Sequence, residues 1–131
     1  MQPDEIGLAA AAAAYMAIRC YLRGRAGQPT ADPTESEVAP LEWDKTVPDM
    51  RAYVRSHVDI ALLYPTASSS VIYTHWQVRL RELGWMPNKQ FYFAKRETPA
   101  LSYTYESAPD WMRDQADLVI TIARTMARIL A

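Results

Sequence analysis

Small apolar residues recur at helical spacing near the start of the chain: Ala9, Ala10, Ala13, Ala14 and Ala17, after Asp4 and Glu5 and ahead of Arg19, Arg23 and Arg25. Acidic residues at the start and arginines at the end complement a helix dipole, so the pattern predicts a helix over about 4–23, stopped by Gly24 and Gly27. Tyr15, Ile18 and Leu22 flank the alanine face, and a face of small residues lets a neighbouring helix approach closely. That neighbour is either another helix of the chain or the same helix of a second copy. Three further periodic stretches follow. Met50, Val54, Val58, Ala61 and Leu62 predict a helix opening near Pro48, with Thr46 as its cap and Arg51, Arg55 and Asp59 facing water. Ile72, Trp76, Leu80 and Leu83 predict a third helix over 69–83, closed by Gly84. The last opens with Ser107 as a cap, Pro109 and Asp110, and its buried stripe is expected at Leu118, Ile122, Met126 and Ile129, widened by Val119 and Leu130.

Two stretches break this rhythm. From Arg25 to Pro40 the chain holds Pro29, Pro33 and Pro40 among Thr, Ser, Glu and Gly, with no apolar periodicity, which predicts a surface loop or arm. Between Trp85 and Glu106 the strand-prone Phe91, Tyr92 and Phe93 precede Leu101, Tyr103 and Tyr105, which alternate with Ser102 and Thr104. That alternation predicts a two-stranded ribbon around Lys95–Pro99. The expected architecture is mainly α: a compact four-helix domain with a small two-stranded β-hairpin before the C-terminal helix. One domain over 1–131 is expected, comprising an alanine-rich segment 4–24, the loop 25–40 and a body 41–131.

Composition narrows the function classes. Half of the residues are hydrophobic and 22% are charged, a globular balance. The net charge is −1 and no stretch holds five like charges, so nothing in the sequence advertises the basic surface that nucleic-acid binding requires. The lone Cys20 can form no intramolecular disulfide, suits a reducing compartment and is expected as a small buried hydrophobe. The Ile6–Ala14 run follows acids instead of basic residues and is mostly alanine, which predicts neither export nor a membrane span.

Motifs for chemistry are sparse. The two histidines, His57 and His75, fall on different helices with no metal-ligand spacing, so neither a metal nor a cofactor is expected. The four glycines are scattered and form no phosphate-cradling loop. A catalytic pairing of either histidine with Cys20 or Ser68–Ser70 has no motif behind it. Aromatic and cationic residues do concentrate between Tyr73 and Trp111. Trp76, Trp85, Tyr92, Tyr103, Tyr105 and Trp111 lie near Arg79, Lys89, Lys95 and Arg96. Such a mixture serves either as the core of a small domain or as a pocket that stacks a planar ring and pins an anion.

Trp76, the Gly84-Trp85 pair, Arg96, Pro99, Leu101, a tyrosine at 103 or 105, and Pro109 before the final helix together resemble the ryanodine-receptor repeat domain. The likeness extends over most of 5–130, the proline-rich arm apart, to small proteins of tailed bacteriophages that carry this repeat. Pro87-Asn88 replaces the usual Tyr-Gly, Thr98 stands where the family has histidine, and no proline precedes Tyr103 or Tyr105. The resemblance implies a helical repeat with a small hairpin and no known enzymatic activity. Family versions act as interaction modules in large channels and are suspected sensors of nucleotide-derived ligands in microbial conflict systems. The sequence is accordingly expected to encode a non-enzymatic phage or prophage binding module in the host cytoplasm. A nucleotide-like ligand would lie against Trp85, Arg96, Tyr103 and Tyr105, with Trp76, Gly84, Pro99 and Leu101 in support. The alternative is an interaction factor that self-associates or acts on a host protein.

Overall fold

The computed structural model describes residues 1–25, 43, 46, 48–92 and 94–131. Among them are four α-helices: α1 (Pro3–Arg25), α2 (Pro48–Leu63), α3 (Ser69–Glu82) and α4 (Asp110–Leu130). The architecture is mainly α, as the periodicity predicts. α1 packs along α4 and α2, and α2 also packs on α3 and α4. One cluster of buried apolar side chains draws on all four helices and on the segment between α3 and α4. None of these helices is long and apolar enough to cross a membrane. α1 runs through Gly24, which therefore does not stop it. The proline-rich arm, Arg25 apart, lies outside the described residues.

Small residues set the contact of α1 with the rest. Gly7, Ala10, Ala11 and Ala14 are buried, while Ala9, Ala13 and Ala17 are only half-buried, so the inward face is turned slightly from the one the sequence suggests. The chain's own α2 and α4 pack on α1. The facing stripe of α4 is Met112, Ala116, Val119, Ile120 and Ala123. The expected stripe is wrong in its rotation: Leu118, Ile122 and Met126 are half-buried flanks, and Ile129 is 70% exposed. Ala116 and Ala123 keep this buried face small at two positions, and Ala116 borders the recess described below. Cys20 is exposed on α1 and not the buried hydrophobe expected. The start of α2 is tied to α1 through the Thr46 hydroxyl, which donates to the Tyr15 hydroxyl at 3.0 Å, and the Trp43 ring sits 5.5 Å from that of Tyr15.

The end of α3 is built by a glycine. Gly84 has φ of +90° and donates to the Arg81 carbonyl, while the Trp85 amide reaches back to the Leu80 carbonyl at 3.0 Å. This is the Schellman arrangement, in which a left-handed residue lets the chain leave a helix with its last carbonyls satisfied. It delivers Trp85 onto the apolar face.

The β structure differs from the expected ribbon. β1 (Met86–Pro87) pairs in parallel with β2 (Glu97–Thr98), and an isolated antiparallel bridge joins Tyr92 to Glu97. Phe93 lies outside the described residues. The stretch 101–105 is no strand, because Thr98 and Pro99 start a 3-10 turn over Pro99–Leu101. The Thr98 hydroxyl caps that turn by accepting from the Ala100 amide, and Pro99 has no N–H to give to a ladder. Ser107 does not cap α4 either. Its hydroxyl closes a turn with Thr104, and α4 starts at Asp110 with no side-chain cap.

Ala14 is fully buried in the α1 interface. Ala14→Leu is expected to lower stability by about 1–3 kcal/mol in urea titration by overpacking. Leu8→Ala, on the exposed side, should change it by less than about 0.5 kcal/mol. Equal effects of the two substitutions would contradict the assigned face.

Candidate functional site

Met50, Val54, His57 and Ala61 follow one another at spacings of four, three and four along α2, and all four are buried. That spacing is the apolar stripe of a helix, and it carries a histidine into the core. The His57 imidazole lies flat on the Trp76 indole, with ring centroids 3.9 Å apart and planes 6° from parallel. The preceding residue holds the same indole by its edge, since Trp76 Nε1 donates to Ser56 Oγ at 2.9 Å and Ser56 Oγ donates to the Tyr53 carbonyl at 2.7 Å. α2 thus grips one ring with two consecutive side chains.

Tyr53, one turn earlier, joins the two tryptophans. Its ring centroid is 5.2 Å from Trp76, 4.9 Å from Trp85 and 4.9 Å from Phe91. Its hydroxyl shares a hydrogen bond of 2.7 Å with Thr98 Oγ1. Trp76 and Trp85 are therefore parts of one aromatic cluster, and they meet through a third ring. Tyr73 extends the cluster to Tyr105, and its buried hydroxyl donates to the Ala100 carbonyl at 2.8 Å. Burial pushes the Tyr73 phenol above its ordinary range, with Tyr103 nearby adding to the shift.

A recess of about 70 Å³ opens beside the stacked pair. His57, Trp76, Tyr53 and Tyr73 form one side, Met112, Ala116 and Val119 of α4 another, and the half-buried Trp111 and Gln115 also border it. Among the described residues no charged side chain lines it. His57 is 3% exposed, and its Nε2 is buried with no hydrogen-bond partner. Most buried polar atoms are paired, so a bare ring nitrogen beside a cavity marks a place for a ligand or for water. Burial pushes the His57 pKa down to about 3 and holds the ring neutral.

The four expected ligand residues do not line this recess. Trp85 is buried against Tyr53 and Phe91. Arg96 has φ of 52°, and its guanidinium donates to the Leu83 carbonyl at 2.7 Å and to Asp49 Oδ1 at 3.1 Å. It fastens the end of α3 to the start of α2. Tyr105 donates to Asp117 Oδ1 at 2.8 Å, and its phenol is raised by burial and by that carboxylate. Tyr103 is half-buried, and its carbonyl accepts from Gln77 at 2.6 Å. Of the supporting residues, Trp76 and Pro99 border the recess, Gly84 turns the chain and Leu101 is buried in the core. His75 stacks on Tyr64, with centroids 4.3 Å apart. Among the described residues no cluster of His, Cys, Asp or Glu could hold a metal ion. No family model, curated protein or solved structure matches the chain.

The neutral His57 sets a pH dependence. The unfolded chain takes up this proton near pH 6.5 and the folded chain only near 3, so stability falls as pH drops below 6.5. The slope from this one group is about 1.4 kcal/mol per pH unit between roughly pH 6 and pH 4. Urea titrations of the wild type and His57→Leu across that window should differ in slope by about this amount. Parallel pH profiles would show that His57 is solvated in the folded protein.

Proposed function

We propose that the chain is a non-enzymatic binding module whose site is the recess between α2, α3 and α4, and that it takes a small, largely apolar, neutral molecule. The observation that carries this reading is the unpartnered, buried Nε2 of His57, a residue that borders a mostly apolar recess. Binding sites are concave, mostly apolar and furnished with a few polar groups that fix orientation, and this recess has that composition. A phosphate-bearing nucleotide is disfavoured there. Among the described residues the walls hold no cation, and Arg96, the expected anchor, is committed to Leu83 and Asp49. The phage or prophage setting in a host cytoplasm draws its support from the likeness of Trp76, Gly84-Trp85 and Arg96 to the ryanodine-receptor repeat.

The test is a thermal-shift and NMR screen of small neutral compounds against a set of nucleotides. A neutral ligand at a hundred times its Kd should stabilise the fold by about 2.7 kcal/mol. Ala116→Leu, which fills the recess, should abolish that gain while the protein stays folded. Stabilisation by a nucleotide that is lost in Arg96→Ala would overturn the neutral-ligand reading.

A second reading, self-association or docking on a host protein, draws on the outward side of α1. There Leu8 and Met16 are 52% and 44% exposed, two turns apart on one face. If this face is the interface, sedimentation should show an oligomer, or a complex with the host protein, that Leu8→Lys with Met16→Lys dissolves. A wild-type monomer that engages no partner would remove this reading.

A further inference from the structure

We infer that the ligand of the recess presents a hydroxyl group, as a phenol or alcohol does, and that His57 Nε2 is the atom that recognises it. The inference rests on the binding reading above and names the chemistry of its ligand. A neutral imidazole has one donor and one acceptor nitrogen, and a hydroxyl both donates and accepts, so a hydroxyl satisfies Nε2 in either tautomer. A carboxylate only accepts, and either a carboxylate or a phosphate would bring a charge to walls that hold no cation among the described residues. A methyl group fills the same space and leaves the nitrogen bare, which costs the desolvation of a buried polar atom. Water is the general competitor for such a nitrogen. A hydroxyl reproduces the bond that water makes and carries an apolar body with it.

The geometry also orients the molecule. Trp76 covers one face of the imidazole, at 3.9 Å between centroids, so the hydrogen bond forms at the ring edge, in the plane. The Ser56 hydroxyl is already engaged with Trp76 Nε1 and the Tyr53 carbonyl, and the Tyr73 hydroxyl donates to the Ala100 carbonyl. Among the described residues that border the recess, Nε2 is the buried side-chain atom without a partner. At about 70 Å³ the recess has less room than the cavity of about 150 Å³ that takes up a whole benzene. It therefore admits the hydroxyl end first, with the rest of the body lying toward the half-buried Trp111 and Gln115.

The experiment titrates phenol, toluene and benzoate into the wild type and into His57→Phe, with the ¹⁵N shift of His57 Nε2 and the Trp76 indole signals as readouts. Phenol is expected to bind about three- to tenfold more tightly than toluene, the worth of one hydrogen bond. Benzoate is expected not to bind, and the preference should vanish in His57→Phe. Toluene binding as tightly as phenol would overturn the hydroxyl inference and leave the recess a binding site. Failure of all three compounds to bind would overturn both. Benzoate binding with the affinity of phenol would overturn neutrality. Should His57→Phe not fold, the wild-type shift decides: Nε2 must move with phenol and stay put with toluene, and an Nε2 signal indifferent to phenol overturns the assignment.

Discussion

Ser56 and His57 hold the Trp76 indole from its edge and its face, and this contact organises the middle of the protein. The ring is the meeting point of α2 and α3, and Tyr53, one turn before His57, passes the contact on to Trp85 and Phe91. A large ring buried this way contributes apolar area and also needs a partner for its N–H, which Ser56 supplies. The same helix stripe that aims His57 at Trp76 leaves the other edge of the imidazole without a bond. Packing and candidate chemistry therefore have one origin.

The surrounding elements make this arrangement possible. α1 packs its alanines and a glycine on α2 and α4, and the buried face of α4 carries Ala116 and Ala123. The left-handed Gly84 turns Trp85 back onto the cluster, and Thr98 ties the 3-10 turn to Tyr53. Arg96, although exposed, closes the end of α3 and pairs with Asp49, so its positive charge serves the frame.

The helices were legible because their signals are local. Pro48, Ser68, Gly84 and Pro109 mark boundaries by their own backbone preferences, and the periods of Met50–Ala61 and Ile72–Leu80 need no knowledge of the partner. The joining of Trp76 and Trp85 in one cluster was legible too, from their placement around a glycine stop. The inward face of α4 was not. Large apolar residues at 118, 122 and 126 dominate the periodic pattern, whereas the buried face runs through the smaller Ala116 and Ala123, whose apolar signal is weak. The ribbon failed for a comparable reason. Leu101, Tyr103 and Tyr105 alternate with polar residues, yet Thr98-Pro99 is a local start signal for a helical turn, and that signal wins. His57 was not legible as part of the apolar stripe of α2, because its burial and its bare Nε2 depend on what α3 and α4 bring beside it.

The central claim is that His57 is a neutral, desolvated ring at the wall of a recess, stacked on Trp76. The most direct measurement is an NMR titration of the His57 imidazole in the folded protein. The account predicts that its ring signals stay those of the neutral form from pH 8 down to about pH 4. An imidazole that takes up its proton near pH 6.5, as a solvated histidine does, would contradict both the burial and the site built on it.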